Sequence, residues 1–296
     1  MNRKLPTFVI IGSQKSATTY LQDVLSSHPM VSLPRQEVRD FEDPEYHMFG
    51  LERIKSYFEH GAQPVRGIKR PDYLARPEVP ARLKADLGDV KLIALLRDPV
   101  KRFISAYYYY IKMGFIAVED INIALNRVRQ GGELRGVRSS ELFEYGKYGE
   151  QLERYLSIHE RENMLVIIQE RLFLSPQEVF SAIFRFIGIS DSGGVNVGRR
   201  WNAGVYSLVR LRLIRKRNIF LYRYNKSNKI EERSSRALRL VAALITALDK
   251  FILFRIFGNR PPVVTDENLK FLKSIYREDR ERIVSLYPDL DLSNWL

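Results

Sequence analysis

Short apolar runs separated by longer amphipathic stretches set the pattern of this chain. Phe8–Ile11, Val90–Arg97 and Met164–Gln169 have the length and branched side chains of buried strands, and Gly67–Leu74 predicts a short strand with a loop. Pro176–Ile187 repeats apolar residues at helical spacing and predicts an amphipathic helix. Because strands that alternate with helices form parallel sheets covered on both faces, we expect an α/β fold with a central parallel sheet flanked by helices.

The turn after the first predicted strand carries groups that bind anions. Gly12 follows the apolar run, and a helical pattern begins over Tyr20–Leu25. Between them stand Ser13, Gln14, Lys15, Ser16, Ala17, Thr18 and Thr19. Backbone N–H groups at a helix start have no partner within the helix, and the helix dipole adds partial positive charge there. Together with the lysine charge and the hydroxyl donors, these groups predict a phosphate site and hence a bound nucleotide.

The spacing in this turn differs from the Walker A loop. Walker A requires G-x-x-x-x-G-K-[ST], whereas the chain has Gly12-x-x-Lys15-x-x-Thr18-Thr19, with Ala17 where a second glycine would stand. The turn resembles the 5′-phosphosulfate-binding loop of the sulfotransferase family, whose members use 3′-phosphoadenosine 5′-phosphosulfate (PAPS) as sulfuryl donor without a metal. The resemblance implies that residues 13–19 hold the 5′-phosphosulfate. An incidental polar turn before a helix is the alternative interpretation.

A second strand-to-helix junction strengthens the resemblance. The strand that starts at Val90 ends in Arg97-Asp98-Pro99, and a helical pattern follows the proline. Ser105 lies about two helical turns beyond Arg97. An arginine before a proline, with a serine at this spacing, resembles the family's 3′-phosphate motif. Arg97 and Ser105 are therefore expected to bind that phosphate, the alternative for Arg97 being a salt bridge with Asp98.

Sulfuryl transfer needs a base that deprotonates the acceptor and a cation that stabilises the leaving oxygen. Lys15 is the candidate cation because it lies in the phosphosulfate loop. Glu37 lies in the segment Leu33–Phe41, which follows the first predicted helix. Glycan sulfotransferases often carry a Lys-Glu pair in this segment with the glutamate as base, and Glu37 is therefore the candidate base. Gln36 replaces the lysine of that pair here, and Asp40 is the reserve candidate. A solvated loop glutamate is the alternative interpretation of Glu37.

A third resemblance concerns the predicted acceptor side. Lys69, Pro71 and Tyr73 match a Lys-x-Pro-x-Tyr pattern of glycan sulfotransferases, whereas small-molecule sulfotransferases have Lys-Thr-His there. The resemblance implies that Lys69 contacts the transferring sulfuryl group or an acidic acceptor, and that Tyr73 contacts the acceptor. Tyr148 resembles a family tyrosine that lines the acceptor cleft. A surface lysine and a packed core aromatic remain the alternatives for Lys69 and Tyr148.

The composition narrows the class of protein. With 296 residues, 45% of them hydrophobic, the chain can bury a full core, and we predict a single domain with its core over about residues 7–190. Zero cysteines exclude disulfides and thiolate metal sites, and the four histidines show no ligand spacing, so we predict no metal. There is neither an uncharged apolar run of membrane-spanning length nor a recognisable signal peptide. We therefore expect a cytoplasmic protein, peripheral to a membrane at most.

The positive charge is concentrated in one stretch. Thirteen lysines and arginines lie between Arg199 and Arg239, against only two acids, Glu231 and Glu232. Their excess of +11 is most of the net charge of +13. Arg199 and Arg200 are expected to cover the 3′-phosphate, because a basic loop does so in the family. The remaining charge predicts an anionic acceptor or an anionic membrane surface as partner.

An apolar segment follows the basic stretch. Leu240–Phe257 is strongly apolar but is interrupted by Asp249, Lys250 and Arg255, which argues against a membrane span. It is interpreted as a core helix, a dimer interface or a helix lying on a bilayer. Asp266–Leu286 predicts a final helix.

The motifs together favour one function over two rivals. The chain resembles PAPS-dependent sulfotransferases, closer to the glycan branch than to the cytosolic phenol and steroid branch. This implies a P-loop NTPase-like fold with a largely helical C-terminal part over residues 191–296. It also implies transfer to a hydroxyl, or an amine, of a saccharide or glycolipid, with 3′-phosphoadenosine 5′-phosphate (PAP) as product. A P-loop kinase or NTPase and a basic nucleic-acid-binding module are the alternatives. The acceptor's identity and the oligomeric state stay open.

Overall fold

The computed structural model describes residues 4–59, 61–190, 204–224 and 230–295. Its strands are β1 (Phe8–Gly12), β2 (Val31–Ser32), β3 (Val65–Lys69), β4 (Lys91–Leu96), β5 (Met164–Ile168), β6 (Tyr222–Tyr224) and β7 (Ile230–Glu232). Its helices are α1 (Thr18–Ser26), α2 (Glu45–Ser56), α3 (Val79–Leu87), α4 (Pro99–Met113), α5 (Ile121–Arg129), α6 (Glu141–Glu144), α7 (Tyr148–Leu156), α8 (Gln169–Leu174), α9 (Pro176–Phe186), α10 (Leu208–Leu221), α11 (Arg236–Leu248), α12 (Phe254–Phe257) and α13 (Asp266–Leu286). Arg199 and Arg200 lie outside the described residues.

Strands β1 to β5 form one parallel sheet in the order β2-β3-β1-β4-β5. β1 is central, since Val9 pairs with Ile68 of β3 on one side and with Leu92 of β4 on the other. The chain therefore adds strands first to one side of β1 and then to the other. Such a switch opens a crevice at the carboxyl ends of the strands, where α/β proteins bind ligands.

Two hydrophobic clusters cover the two faces of this sheet. Val9 and Ile11 of β1 belong to one cluster, and Phe8 and Ile10 belong to the other, because successive strand residues point to opposite faces. Helices α3, α7 and α13 supply the first cluster, and α1 and α9 the second. Both faces of β1 are fully buried, which explains why its sequence is continuously apolar rather than alternating.

The described residues form two compact units where the sequence predicted one domain. The first comprises those within 1–102, 147–201 and 276–296 and contains the whole parallel sheet. The second comprises those within 103–146 and 202–275 and includes α10, α11, α12 and the antiparallel β6–β7 hairpin. Inside the second unit, side chains of α10 donate to backbone carbonyls in the last turn of α4 and just beyond it. Asn218 Nδ2 donates to Lys112 O at 2.7 Å, and Arg215 Nη1 donates to Ile116 O at 3.1 Å.

The predicted fold class is confirmed. The four predicted strands are β1, β3, β4 and β5, the helix at Pro176 is α9, and α13 has the predicted bounds. The short strand β2 escaped prediction, since its two residues carry no periodic signal. Among the described helices, none has the length and apolar content needed to cross a membrane.

Candidate active site

The carboxyl ends of β1, β3 and β4 lie at one edge of the sheet, and the predicted donor motifs follow β1 and β4 there. Gly12 ends β1 against the turn that follows β3. A Cβ on Gly12 would lie 2.8 Å from Leu74 Cβ and 2.9 Å from Pro71 O, so only glycine permits this approach. The close packing of these two segments fixes where the β1–α1 turn begins.

The turn between β1 and α1 has the backbone of an anion-binding loop. Lys15 and Ala17 adopt φ values of 70° and 65°, in the left-handed region that residues with a Cβ rarely occupy. Backbone concavities that include left-handed residues bind anions through their N–H groups. Ala17 is the N-cap of α1 and supplies no side-chain cap, and the first N–H groups of a helix point toward a ligand bound at its N-terminus. The residues present therefore fit a bound phosphosulfate.

The first residues of the loop face inward and brace it. Ser13 and Ser16 are both buried, their hydroxyl oxygens lie 2.6 Å apart, and Ser13 Oγ also lies 3.1 Å from Leu95 O of β4. Gln14 Nε2 donates to Asp72 Oδ1 at 3.1 Å. These contacts tie the loop to β4 and to the segment after β3. Ser13, Gln14 and Ser16 are thus placed to shape the loop.

Some side chains of the β1–α1 loop are accessible to solvent. Lys15 is half-buried and Thr19 is exposed, whereas Thr18 is buried. Arg97 Nη1 donates to Lys15 O at 3.2 Å, which brings the second predicted motif onto the first. A salt bridge with Asp98 was the alternative interpretation of Arg97. The Oδ1 of Asp98 instead accepts from N–H groups in the first turn of α4.

Ser105 lies on α4, in the second unit, and is half-buried. Its pairing with Arg97 on a 3′-phosphate stays a prediction, as do the roles of Arg199 and Arg200.

The segment that carries Glu37 lies at this edge of the sheet. Val38 N donates to Lys69 O at 3.0 Å, so the backbone of the segment is bonded to the last residue of β3. Glu37 Oε1 then lies 4.0 Å from Lys69 Nζ. The glutamate side chain is 40% exposed, which leaves it accessible to an acceptor. Glu37 and Lys69 are therefore brought together by pairing of segments that are distant in sequence.

Arg70 is a site residue that the sequence analysis missed. Its guanidinium is buried and donates to Glu37 Oε2 at 2.6 Å, to Glu42 Oε1 at 2.5 Å and to Asp72 Oδ2 at 2.9 Å. Because Glu42 and Asp72 are themselves buried, they fix the arginine, and the arginine fixes the direction of the Glu37 carboxylate. An arginine directly after a strand was the signal used for Arg97, and the same signal applies to Arg70 after β3.

Lys69 connects the predicted base to the donor loop. Its side chain is only 3% exposed, and its Nζ lies 3.5 Å from Thr19 Oγ1. Burial lowers the pKa of Lys69, and the charge of Glu37 opposes this shift. A partly desolvated ammonium interacts more strongly with an anion than one in water.

Asp40 does not have the geometry of a base. Its carboxylate is buried, and its two oxygens accept from Arg53 Nε at 2.5 Å and from Tyr57 OH at 3.3 Å. Both oxygens are engaged in holding α2 to the segment that follows Glu37. Glu37 is therefore the better placed of the two predicted carboxylates.

The side chain of Tyr73 is buried where an acceptor contact was predicted. The side chain is fully enclosed, its hydroxyl donates to Val38 O at 2.6 Å, and it accepts from Phe41 N at 3.2 Å. Tyr73 therefore holds the Glu37 segment in place from beneath. The Lys-x-Pro-x-Tyr spacing identified a residue that supports the site rather than one that lines it.

Tyr148 is likewise buried where an acceptor contact was predicted. Ser13 Oγ donates to Tyr148 OH at 3.3 Å, so the ring lies under the donor loop. Burial raises the pKa of Tyr148, while the nearby charge of Arg102 and the hydroxyls of Ser13 and Ser16 act in the opposite direction. Arg102, a fully buried cation in the first turn of α4, was also missed, because helical periodicity alone does not distinguish it from a surface arginine.

Comparison with known proteins agrees with this geometry. The family model described as Sulfotransferase domain matches residues 5–199. Mouse heparan sulfate glucosamine 3-O-sulfotransferase 5 is 27% identical over 195 residues, which cover 63% of this chain and 54% of that protein. The Drosophila melanogaster bifunctional heparan sulfate N-deacetylase/N-sulfotransferase is 25% identical over 206 residues, covering 62% of this chain and 20% of that protein. The chain thus spans about half the length, or less, of these curated relatives.

A solved structure extends the comparison to the fold. The sulfotransferase from Alicyclobacillus acidocaldarius superposes with a TM-score of 0.54 at 22% identity, over 70% of this chain and 89% of that one. This likeness concerns the fold alone. Since the family model covers the parallel sheet, the β1–α1 loop, Glu37, Lys69 and Arg97, the chain belongs to the sulfotransferase domain family.

Proposed function

We propose that this protein is a sulfotransferase that transfers the sulfuryl group of PAPS to a saccharide acceptor. One observation carries the proposal. Lys69 Nζ lies 3.5 Å from Thr19 Oγ1 in the anion-binding loop and 4.0 Å from Glu37 Oε1. A buried cation therefore stands between a loop suited to a phosphosulfate and an accessible carboxylate suited to deprotonating an acceptor.

The donor is assigned to the edge formed by the β1–α1 loop and Arg97. The N–H groups of the loop and the start of α1, together with Lys15 and Thr19, would hold the 5′-phosphosulfate. Arg97 already donates to the loop through Lys15 O, and its guanidinium would bind the 3′-phosphate. Membership of the sulfotransferase family supports PAPS over other nucleotides.

The chemistry is an in-line displacement at sulfur. Glu37 accepts the proton of the acceptor group, whose oxygen or nitrogen forms a bond to sulfur while the bond from sulfur to the phosphate oxygen breaks. The electron pair of that bond leaves with PAP. Lys15 stabilises the charge on the leaving oxygen, and Lys69 is placed to balance the charge of the sulfuryl oxygens. Arg70 keeps the Glu37 carboxylate aimed at the acceptor.

A saccharide acceptor is supported by the relatives, whose names both specify heparan sulfate. One relative is named as an O-sulfotransferase and the other as an N-sulfotransferase, so both a hydroxyl and an amine are included in the proposal. The local excess of lysine and arginine after residue 199 favours an anionic saccharide. A glycolipid acceptor and a cytoplasmic location stay predictions from the sequence.

The donor is tested by calorimetric titration with PAP, ATP and 5′-AMP, each with and without Mg²⁺. We expect metal-independent binding that requires the 3′-phosphate and is weakened in Arg97→Ala and Lys15→Ala. Lys84→Ala is the control, because Lys84 pairs with Asp89 on the surface. Preference for Mg-ATP would replace the proposal with a kinase or NTPase.

The acceptor is tested with ³⁵S-labelled PAPS and heparan oligosaccharides that carry either free amines or free hydroxyls. Label on one of these series assigns O- or N-transfer. Tight PAP binding without label on either would retain the donor and reject this class of acceptor.

A further inference from the structure

The second unit exposes an apolar surface along α11, the π-helical segment Asp249–Leu253 and α12. Leu240, Leu244, Phe251 and Ile256 are 68%, 72%, 59% and 66% exposed. The remaining members of this surface, which we name the outer surface, are Val241, Leu248, Ile252 and Phe257. Scattered exposed apolar residues are ordinary in proteins, but a continuous helical surface of leucine, isoleucine and phenylalanine marks an interaction site.

The orientation of this helical segment is fixed by its other side. Ala242 and Asp249 are buried toward α10, and Arg210 of α10 donates to both oxygens of Asp249 at 2.8 and 2.9 Å. Arg210 Nη1 also donates to Gly258 O at 3.0 Å, just beyond α12. These bonds at two points of the segment hold the outer surface toward solvent. The segment is apolar on both sides, and only one side is used inside the unit.

The charge beside this surface has one sign. From Arg233 to Thr265 the sequence contains six cations and a single acid, Asp249. The carboxylate of Asp249 is ion-paired with Arg210. Arg236, Arg239, Lys250 and Arg255 are exposed. An apolar strip with lysines and arginines beside it is the pattern of a helix that lies in the interface of an anionic bilayer.

A second copy of the chain fits this surface poorly. In a two-fold dimer the same surface meets itself, so its cations would face cations without an acidic partner on the same stretch. The segment is also unsuited to crossing a bilayer, since none of the described helices meets the requirements of a span.

We propose that the outer surface docks on an anionic lipid bilayer, with its apolar side chains in the headgroup and acyl boundary and its cations on acidic headgroups. The proposal concerns the second unit and does not depend on the sulfuryl-transfer proposal.

The test is co-sedimentation of the full chain with two kinds of vesicle, one of phosphatidylcholine alone and one of phosphatidylcholine with about 30% phosphatidylserine. The acidic lipid gives the second kind a negative surface. We expect binding to the anionic vesicles that weakens with added salt. The double variant Leu244→Ser/Phe251→Ser should lower the partition coefficient about tenfold or more, because it removes two apolar anchors. Arg236→Gln/Arg239→Gln should reduce binding to anionic vesicles selectively.

Leu174→Ser is the matched control, because Leu174 is 78% exposed on α8 in the first unit. It should bind vesicles like the parent protein. Melting curves confirm that each variant is folded. A second readout is Phe251→Trp, whose additional emission should shift to the blue and be quenched by brominated lipid.

Three results would overturn the proposal. The first is absence of vesicle binding by the parent protein. The second is a loss of vesicle binding in Leu174→Ser as large as in the Leu244→Ser/Phe251→Ser double variant. The third is emission from Phe251→Trp that brominated lipid does not quench. One further result, from sedimentation velocity, would assign the surface to a second copy of the chain instead. In that result the parent protein sediments as a dimer that does not bind vesicles, while the Leu244→Ser/Phe251→Ser double variant sediments as a monomer.

Discussion

Lys69 Nζ lies 4.0 Å from Glu37 Oε1, at the edge of the sheet where β3 ends. The two charges come from segments that helix α2 separates in the chain, and the backbone bond from Val38 N to Lys69 O helps to keep them together. Lys69 is nearly fully buried while Glu37 is open to solvent. The pair therefore differs from a surface salt bridge, because removing the charge of Glu37 leaves the buried Lys69 ammonium with less compensation.

The pKa of Lys69 should respond to Glu37. Burial lowers this pKa, and Glu37 raises it part of the way back. Glu37→Gln should therefore lower the pKa of Lys69 further, as followed by NMR of lysine labelled at Cε and Nζ. The pKa of Lys112, which burial also lowers but whose charged neighbours are Arg217 and Asp249, should not change in this variant. An unchanged Lys69 pKa would mean that the two charges are not coupled.

The direction of the pH dependence follows from the same shift. Lys69 has a lower pKa in the folded protein than in the unfolded chain. At pH values below the folded-state pKa the buried charged lysine therefore lowers the free energy of unfolding. This cost is removed as the pH rises from the folded-state pKa to the unfolded-state pKa. PAP affinity should fall over the same rise, because Lys69 Nζ lies 3.5 Å from Thr19 Oγ1 in the anion-binding loop and its loss of charge weakens the attraction for the 5′-phosphate there. The fall should begin at lower pH in Glu37→Gln than in the parent protein. Titrations of PAP at several alkaline pH values measure this difference.

Glu37→Gln should also abolish the base. We expect turnover to fall by about 10²–10⁴, the usual contribution of general base catalysis, while PAP affinity at neutral pH stays within about twofold. Glu52→Gln, which changes an exposed glutamate paired with Lys55 on α2, is the matched control. Steady-state kinetics beside calorimetry separates the two effects. Full turnover in Glu37→Gln would remove this residue from the mechanism.

The hydroxyl of Tyr148 should influence the donor loop. Tyr148→Phe removes the contact with Ser13 and should weaken PAP binding by about two- to tenfold, in line with one lost hydrogen bond. Tyr155→Phe is the control, because Tyr155 is equally buried but its hydroxyl donates to Tyr73 O at 3.0 Å. Both variants should lose about 1 kcal/mol of unfolding free energy, and only the first should affect PAP. Equal PAP affinity in both would show that Tyr148 only packs.

Gly12 should tolerate no side chain. In Gly12→Ala the new Cβ meets Leu74 Cβ and the backbone oxygen of Pro71, so we expect a loss of about 1–3 kcal/mol in unfolding free energy, measured by urea denaturation. Gly61→Ala is the comparison, since its Cβ would meet the end of the Gln63 side chain, which can move. A Gly12→Ala protein as stable as Gly61→Ala would show that the β1–α1 turn relaxes easily.

Much of the fold was available from the sequence because its signals are local. The continuous apolar runs of β1, β4 and β5 follow from strands buried on both faces, and α13 follows from its periodicity. The polar turn at Lys15 and the arginine at 97 were recognisable because ligands bind where parallel strands end. These features depend on residues that are neighbours in the chain.

The arrangement of the site was decided by packing between distant segments. Tyr73 and Tyr148 are polar enough to line a cleft, yet both are enclosed by the core and hold the site from beneath. Arg70 became the centre of an ion-pair network only because Glu37 and Glu42 fold back onto it. Likewise, the sequence of Leu240–Phe257 determined that the segment is apolar. Which side faces outward depended on the Arg210–Asp249 pair, since helical periodicity defines the faces of a helix but tertiary contacts decide which face is covered.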